Sequence, residues 1–316
     1  RRHSRAHRPL TSAMRTRSLA LHALRSAQRS PLGLRGGGRA ASSQPTMALA
    51  PLATSAKVFG AFNAAGLGVS LATNSHVHLD LIGTGAFAFA AAATRGPATA
   101  ARSTSAAMVV GWASRLAGFL FFRACLTGRD GRLEDTLSTA GGCVGFWTIS
   151  WAWGFLTMLP HALGATAAPT STTTAKLARR AGVAAFALGL ATEVLADAQK
   201  FLFKRSNPGA LCDVGVWGVS QHPNWFGNLC LWSGVFLYNA PGLAPAKLAL
   251  GALSPLSLGA LFYAQGSGAL TPTVALARAK YGGDPAYAAY LAATPMLLPN
   301  PAAWIGALLR GVVGKW

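Results

Sequence analysis

A nine-residue polar turn, Ser220-Gln-His-Pro-Asn-Trp-Phe-Gly-Asn228, concentrates hydrogen-bonding side chains in an otherwise apolar half of the chain. Pro223 fixes the backbone there, and His222, Asn224 and Asn228 can each donate or accept hydrogen bonds. A turn this polar is tolerated at membrane depth only where protein buries it or where it lines a cavity. We therefore predict that the turn faces a binding pocket; the alternative is an ordinary interhelical loop.

A second polar set lies just upstream, where Glu193, Asp197, Lys200 and Lys204 are separated by four, three and four positions. That spacing places all four side chains on one stripe of a helix. Carboxylates near a membrane are costly and face a cavity or a partner. Two interpretations follow: a salt-bridged helix end with Asp197 paired to Lys200, or a polar pocket wall. In the pocket the lysines would meet phosphate, and a carboxylate would accept from ribose or amide groups.

Two arginines, Arg115 and Arg123, are eight positions apart and share a helix face. A buried arginine needs a carboxylate or phosphate partner. Structural pairing is the alternative to ligand binding, and for Arg123 the sequence offers Asp130 or Glu134 as partners.

Metal and disulfide chemistry find little support. The four cysteines form no CxxC pair, and the grouping His76-Val-His78-Leu-Asp80 has no further ligand cluster to complete a metal site. We predict a wet loop at residues 76–80 and no metal site.

The composition points to the elements that must position these residues. Hydrophobic residues make up 52% of the 316, charged residues 11%, and the mean hydropathy is +0.36. A soluble domain is about 25% charged, and disorder goes with low hydrophobicity, so both classes are excluded. Apolar stretches do not alternate as barrel strands would. We predict an all-α polytopic membrane bundle of six or seven spans, at residues 58–79, 81–94, 103–122, 136–175 (ending near Pro160), 181–198, 214–246 and 247–264.

Half of the net charge of +20 lies in residues 1–46, which hold ten arginines, seven serines and no acidic residue. This distribution argues against nucleic-acid binding and is typical of an organellar transit segment. We predict that residues 1–46 lack packed structure and direct the protein to a plastid or mitochondrion. The alternatives are a disordered tail or an untranslated leader, with Met47 as the start and the endoplasmic reticulum as the location.

Four patterns in order resemble the steroid 5-alpha-reductase C-terminal-domain family, in its less characterised membrane branch with an HPNYFGE-like motif. They are Arg115–Arg132, Asp197-Ala-Gln-Lys-Phe-Leu-Phe-Lys204, the turn Ser220–Asn228, and Lys280-Tyr-Gly-Gly-Asp-Pro-Ala-Tyr-Ala-Ala-Tyr290. The resemblance covers roughly residues 56–300. Within the turn, Gln221 stands where the family has Arg, Trp225 where it has Tyr, and Asn228 where it has Glu.

The resemblance implies a membrane-embedded domain over residues 56–300, followed by a tail at 301–316, with an NADPH pocket near the C-terminal half. Its motifs place Asp197, Lys204, Asn224 and Asn228 in the cofactor site. His222 and Tyr281, from the same segments, complete the predicted cofactor-binding set. No catalytic residue is assigned.

The reaction that the resemblance implies is NADPH-dependent reduction of a carbon–carbon double bond conjugated to a carbonyl in an apolar, steroid-, sterol- or lipid-like substrate. The turn is also similar to that of membrane methyltransferases that use S-adenosylmethionine, such as isoprenylcysteine carboxyl methyltransferase. A non-catalytic scaffold is the third alternative. An enzyme should have a cavity joining the Asp197 helix, the Asn224 turn and the Tyr281 region, and a scaffold should have that volume filled.

Overall fold

Helices account for 79% of the residues that the structure, a computed structural model, describes, and those residues include no strand. The described residues are 44–128, 133–270 and 273–314. The helices are α1 (Gln44–Thr73), α2 (Leu79–Thr94), α3 (Ala100–Thr127), α4 (Glu134–Leu137), α5 (Ala140–Gly164), α6 (Thr173–Ser206), α7 (Pro223–Asn239), α8 (Pro245–Gly266), α9 (Thr273–Tyr281), α10 (Pro285–Ala293) and α11 (Pro301–Val312), with a 3-10 turn at Gly215–Gly218. The all-helical prediction is confirmed.

Four of these helices, α3, α5, α6 and α8, are long and apolar enough to cross a membrane, and α2 is a shorter apolar helix. They fit an integral membrane protein. The predicted total of six or seven spans is not reached by length and composition among the described residues.

Several predicted boundaries differ from the structure. The stretch at 136–175 contains α5, which continues through Pro160 to Gly164 instead of ending near the proline. A proline is tolerated inside a membrane helix where neighbouring groups compensate for the lost backbone hydrogen bond. Near Pro160, Ser254 Oγ of α8 donates to the Thr157 carbonyl at 2.8 Å and so ties α8 to this part of α5. The stretch at 214–246 is not one span, because a 3-10 turn and the polar turn precede α7.

Close packing of α6 against α7 depends on glycine. A Cβ atom added at Gly189 would lie 2.5 Å from the Gly227 carbonyl oxygen, and one at Gly234 would lie 2.5 Å from the Phe186 nitrogen. Gly182 likewise faces Tyr238. Since residue numbers rise along α6 as they fall along α7, the helices are antiparallel. This pairing brings the end of α6 that carries Asp197 level with the start of α7.

Aromatic rings fill the centre of the bundle. Phe87 of α2 makes edge or tilted contacts with Phe59, Trp112, Trp153 and Trp232, at centroid distances of 4.8 to 5.5 Å. These five rings come from α1, α2, α3, α5 and α7, so one aromatic cluster joins five helices.

A buried polar chain also ties four helices together. His161 Nε2 lies 3.1 Å from the Ala91 carbonyl, and its Nδ1 lies 2.8 Å from Ser105 Oγ. Because a carbonyl only accepts, Nε2 carries the proton and Ser105 donates to Nδ1. Asn239 Nδ2 in turn donates to Ser105 Oγ at 2.8 Å. His161 belongs to none of the predicted sites. Both of its ring nitrogens have hydrogen-bond partners inside the bundle.

The C-terminal segment folds back onto the polar turn. Gln221 Nε2 donates to the Leu291 and Thr294 carbonyls at 3.3 and 2.7 Å, and Ser220 Oγ donates to the Leu297 carbonyl at 2.9 Å. The residue that replaces the resembled family's arginine thus anchors the chain after α10.

Helices are present in both of the predicted end segments. Residues 301–316, predicted as a tail, contain α11, whose Trp304 Nε1 donates to Thr192 Oγ1 of α6 at 3.0 Å. At the other end, α1 begins at Gln44. The rest of the predicted transit segment, residues 1–43, lies outside the described residues.

Candidate functional site

A cavity of about 980 Å³ lies among α3, α6, α9, α10 and the polar turn. Its described lining is strongly cationic, with Asp197 as the one carboxylate among those residues. The basic side chains come from three helices: Arg123, Lys200, Lys204, Arg205 and Arg278. A cavity of this charge favours an anionic ligand.

Five of the six predicted cofactor residues line this cavity: Asp197, Lys204, His222, Asn224 and Tyr281. The predicted convergence of Asp197, Lys204, His222 and Asn224 is confirmed, and the antiparallel α6–α7 pair is its physical cause; Tyr281 comes from α9. Their role in binding a cofactor stays a prediction.

Lys204 is held in place at the cavity wall. Its Nζ donates to Tyr281 Oη at 2.6 Å and also to the Ala210 carbonyl. The Tyr281 ring lies 5.7 Å from that of Tyr287, centroid to centroid. An ammonium group positioned in this way presents a fixed positive charge to a ligand in the cavity.

His222 and Trp225 line the cavity beside the cations, and they belong to a stack of three rings whose third member, Phe262, is not part of the described lining. The His222 imidazole stacks on Trp225 at 3.9 Å and 9°, and Trp225 stacks on Phe262 at 5.6 Å and 10°. His222 lies outside the candidate spans; burial, with a smaller contribution from the Lys200 charge, lowers its pKa from 6.5 to about 4. The imidazole is therefore neutral at neutral pH, which suits it to stacking against a planar ring.

Asn224 is half-buried at the same wall, and its side chain makes no hydrogen bond within the described parts of the chain. An amide offers two donors and an acceptor. These groups are available to a molecule in the cavity.

Behind the cavity, Arg115 bridges the two carboxylates of α6. Its Nη1 lies 3.0 Å from Glu193 Oε1, and its Nη2 lies 2.7 Å from Asp197 Oδ2. The prediction that a buried arginine here needs a carboxylate or phosphate is confirmed for Arg115. The salt-bridge interpretation from the sequence pairs Asp197 with Lys200. In the structure the ion-pair partner of Asp197 is Arg115 of α3, because helix packing brings Arg115 beside α6.

The position of Asn228, the sixth predicted cofactor-binding residue, differs from the prediction. It does not belong to the described lining; instead its Nδ2 donates to Glu193 Oε2 at 2.9 Å, where Trp112 Nε1 also donates, at 3.3 Å. Glu193 is only 3% exposed. A second carboxylate at 228, as in the resembled motif, would face Glu193 directly, whereas the amide supplies a donor.

The structure describes only part of the segment that holds Arg123 and its suggested carboxylate partners. Arg123 lines the cavity. Its suggested partner Asp130, together with Arg129 and Arg132, lies outside the described residues, and nothing is described of the Glu134 side chain.

The predicted loop at residues 76–80 begins between α1 and α2. His78 Nε2 there contacts the Gly66 carbonyl at 3.0 Å and Ser70 Oγ at 3.3 Å. The His78 ring also stacks on Trp147 with a centroid distance of 5.8 Å. These contacts give His78 a packing role at the end of α1.

Sequence reasoning missed several residues of the cavity wall, among them Arg278 and Trp217. Arg278 of α9 lines it, and the Trp217 ring lies 4.1 Å from Lys200 Nζ in a cation–π contact. Neither stands in a polar cluster along the chain. Only the fold-back of the C-terminal segment and the 3-10 turn brings them to the site.

The fold and the site together define a helical integral membrane protein with a cationic, aromatic-walled cavity. The chain matches the family described as Protein of unknown function (DUF1295) over residues 67–294, and it belongs to that family. The match takes in the cavity-lining parts of α3, α6, α9 and α10. No curated protein and no solved structure was found to match the chain.

Proposed function

We propose that the protein is a membrane oxidoreductase that uses NADPH to reduce a carbon–carbon double bond conjugated to a carbonyl in an apolar, steroid-, sterol- or lipid-like substrate. The observation that carries this proposal is the cavity of about 980 Å³ in which five cationic side chains face a stacked aromatic wall. It joins the Asp197 helix, the Asn224 turn and the Tyr281 region, as expected of an enzyme and not of a filled scaffold.

The lining residues fit the cofactor chemically. Lys204 and Arg278 are suited to phosphate, because charged donors bind anionic oxygens strongly. Asn224 has an unpaired amide for a carboxamide or ribose hydroxyl. The His222 ring, supported by its stacking on Trp225, offers a planar surface to a ring in the cavity. The volume also lies within the range of ligand pockets, roughly 300–1,000 Å³.

NADPH, when bound, supplies the hydride. The chain's own contribution is binding and orientation. Lys204 is fixed by Tyr281, and Asp197 is fixed by Arg115, so the polar wall is set before a ligand enters. Preorganised groups lose less entropy on binding and hold the reacting atoms in one geometry. The apolar side chains of Phe119, Leu126 and Met296 in the same cavity suit an apolar substrate.

The test is a binding titration of the purified full chain in lipid nanodiscs with NADPH, NADH and S-adenosylmethionine. We expect saturable NADPH binding, and Asn224→Ala should weaken it by about 1–3 kcal/mol, the value of one or two hydrogen bonds. Asn207→Ala is the matched control, because Asn207 is exposed and its side-chain amide bonds only to the Phe203 carbonyl of its own helix end within the described residues. Unchanged NADPH affinity in Asn224→Ala would contradict the assigned ligand position.

The same titration separates the alternatives. Binding of S-adenosylmethionine without NADPH would indicate a methyltransferase, and binding of neither would indicate a non-catalytic scaffold. Turnover is then measured as NADPH oxidation in the presence of a steroid 4-en-3-one, with consumption of the double bond followed by mass spectrometry.

Two finer features belong to this proposal. We propose that α1, α2 and α7 also cross the bilayer, which together with the four long apolar helices gives seven spans, the upper number of the sequence prediction. We further propose an organellar location directed by residues 1–46. Diffuse cytosolic signal from a fluorescent protein fused to those residues would count against targeting.

A further inference from the structure

The contacts between α3 and α6 advance along both helices in steps of four residues. Arg115 Nη2 lies 2.7 Å from Asp197 Oδ2, and the next pair along, Phe119 and Phe201, has its ring centroids 6.1 Å apart. Residue numbers rise together in these pairs, so α3 and α6 run parallel. Because both helices rise by the same amount per residue, a further step of four residues gives a third pair at one level.

This third pair consists of two arginines, Arg123 and Arg205, and both line the cationic cavity. The Arg205 Cζ lies 5.7 Å from the centroid of the Phe201 ring. Two like charges at one level of neighbouring helices repel each other. The one carboxylate of the described lining, Asp197, already pairs with Arg115. An anion between the two arginines matches their charge, because a guanidinium binds carboxylate or phosphate through two hydrogen bonds.

The apolar side chains next to this arginine pair face outwards. Phe122 is 51% exposed and Leu126 is 60% exposed, and Leu126 also lines the cavity. The two arginines lie near the ends of their helices, at Thr127 and Ser206, where a spanning helix leaves the bilayer. An apolar chain that lies in the lipid against Phe122 and Leu126 therefore reaches the arginine pair with its charged end.

We propose that the substrate is an amphiphile whose carboxylate or phosphate head group binds between Arg123 and Arg205, with its apolar chain against Phe122 and Leu126. This inference rests on the proposed function, because it names the class of substrate that occupies the α3 side of the cavity. The double bond to be reduced belongs to the apolar part of that molecule.

The cofactor and the head group use different sides of α6. Lys204 donates to Tyr281 of α9, whereas Arg205 lies beside Phe201, whose ring contacts two phenylalanines of α3. Consecutive residues of a helix point about 100° apart, so the two neighbouring cations face different elements. The cavity can therefore hold two anionic groups, the cofactor phosphates near α9 and the head group near α3.

The experiment is photocrosslinking of the full chain in phosphatidylcholine nanodiscs with hexadecanoic acid, hexadecyl phosphate and hexadecanol, each carrying a diazirine on its chain. We expect saturable labelling of α3 and α6 by the acid and the phosphate, and weak labelling by the alcohol. Arg123→Gln and Arg205→Gln should each raise the acid concentration for half-maximal labelling about tenfold, because each removes a pair of charge-assisted hydrogen bonds.

The matched control is Arg102→Gln at the other end of α3, where the arginine is exposed and makes one weak contact to the Pro97 carbonyl. It should label like the wild type, and circular dichroism checks that each variant stays helical. Arg205 is exposed at the end of α6, so its variant tests the proposal even if Arg123→Gln does not fold.

NADPH binding is measured on the same samples, which separates this inference from the proposed function. Equal labelling by the acid and the alcohol would overturn the head-group site while NADPH still binds, and so would unchanged labelling of both glutamine variants. Head-group-dependent labelling without NADPH binding would contradict the reductase and support the head-group site. Loss of labelling in phosphatidylglycerol nanodiscs would assign the arginine pair to bulk anionic lipid and overturn the proposal.

Discussion

At the scale of single residues, the molecule depends on matching each buried charge with a partner from another helix. Glu193 receives donors from Arg115, Trp112 and Asn228, so a carboxylate deep in the bundle is fully surrounded by N–H groups. Arg115 also pairs with Asp197. One arginine therefore supplies the counter-charge for two carboxylates, and its removal has a larger cost than the loss of a surface ion pair.

Arg115→Ala should destabilise the protein by about 3–5 kcal/mol, because it leaves buried carboxylates without a counter-charge. The measurement is the free energy of unfolding in mixed detergent micelles. Arg102→Ala is the control, since Arg102 is a surface residue with one weak contact to the Pro97 carbonyl at 3.5 Å. A similar, small effect of both substitutions would contradict the role assigned to Arg115.

His222 should make stability depend on pH. Its pKa is about 4 in the folded protein against 6.5 ordinarily, because burial opposes protonation. Between pH 6.5 and 4 the unfolded chain binds a proton that the folded protein does not. Stability is therefore retained above pH 6.5 and is lost as the pH falls towards 4, by up to about 3 kcal/mol from this residue.

The comparison is His222→Phe, which keeps a ring to stack on Trp225 but cannot titrate. The variant should lose less stability than the wild type when unfolding is measured from pH 7 to pH 4.5. If the free energy of unfolding falls by the same amount with pH in both proteins, His222 does not remain neutral in the folded protein.

At the scale of helices, the α6–α7 pair determines where the site forms. Gly182 and Gly189 of α6 and Gly227 and Gly234 of α7 bring two backbones into contact. Each pair is seven positions apart, which keeps the glycines on one face over two turns. The polar residues of both helices lie beyond one end of this contact, so the glycines set the distance between Asp197 and the polar turn.

Gly234→Ala should destabilise the bundle by about 1–3 kcal/mol, because the added methyl group overlaps the Phe186 and Gly182 backbones. It should also weaken ligand binding in the cavity by moving α7. Gly118→Ala on α3 is the control, since nothing lies near its Cβ position. Melting temperatures in detergent check the prediction, and equal values for the two variants would contradict it.

At the scale of the whole molecule, the protein combines an apolar exterior with one cationic cavity. Apolar residues such as Phe89, Ile149, Leu177 and Leu256 are 60 to 70% exposed, which suits contact with lipid tails. The four long apolar helices agree with this surface. The outside of the bundle is therefore adapted to a bilayer, and the polar chemistry is confined to the inside and to the ends of the helices.

Integral insertion makes a direct prediction. The protein should stay in the membrane pellet after extraction at alkaline pH, because apolar burial in lipid does not depend on the charges that such treatment changes. Release into the soluble fraction would contradict membrane insertion and with it the assignment of α3, α5, α6 and α8 as spans.

The sequence by itself determined the helical class, the membrane setting and two of the segments that form the site. Charge-free stretches predict apolar helices because the bilayer admits few other backbone structures. The spacing of the charged residues on α6 and the density of amides at the polar turn indicated that Asp197, Lys204, His222 and Asn224 line a pocket. These are local properties of the chain, so they can be read without knowing the packing.

Only the tertiary structure decided which charges meet. Arg115 pairs with α6 across 78 positions of sequence, and Asn228 turns to Glu193 instead of the cavity. Arg278 joins the site through the fold-back of the C-terminal segment and Trp217 through the 3-10 turn, and neither residue stands in a polar cluster along the chain. The physical reason is that a buried polar group takes the partner that packing brings within about 3 Å, and packing depends on all helices at once.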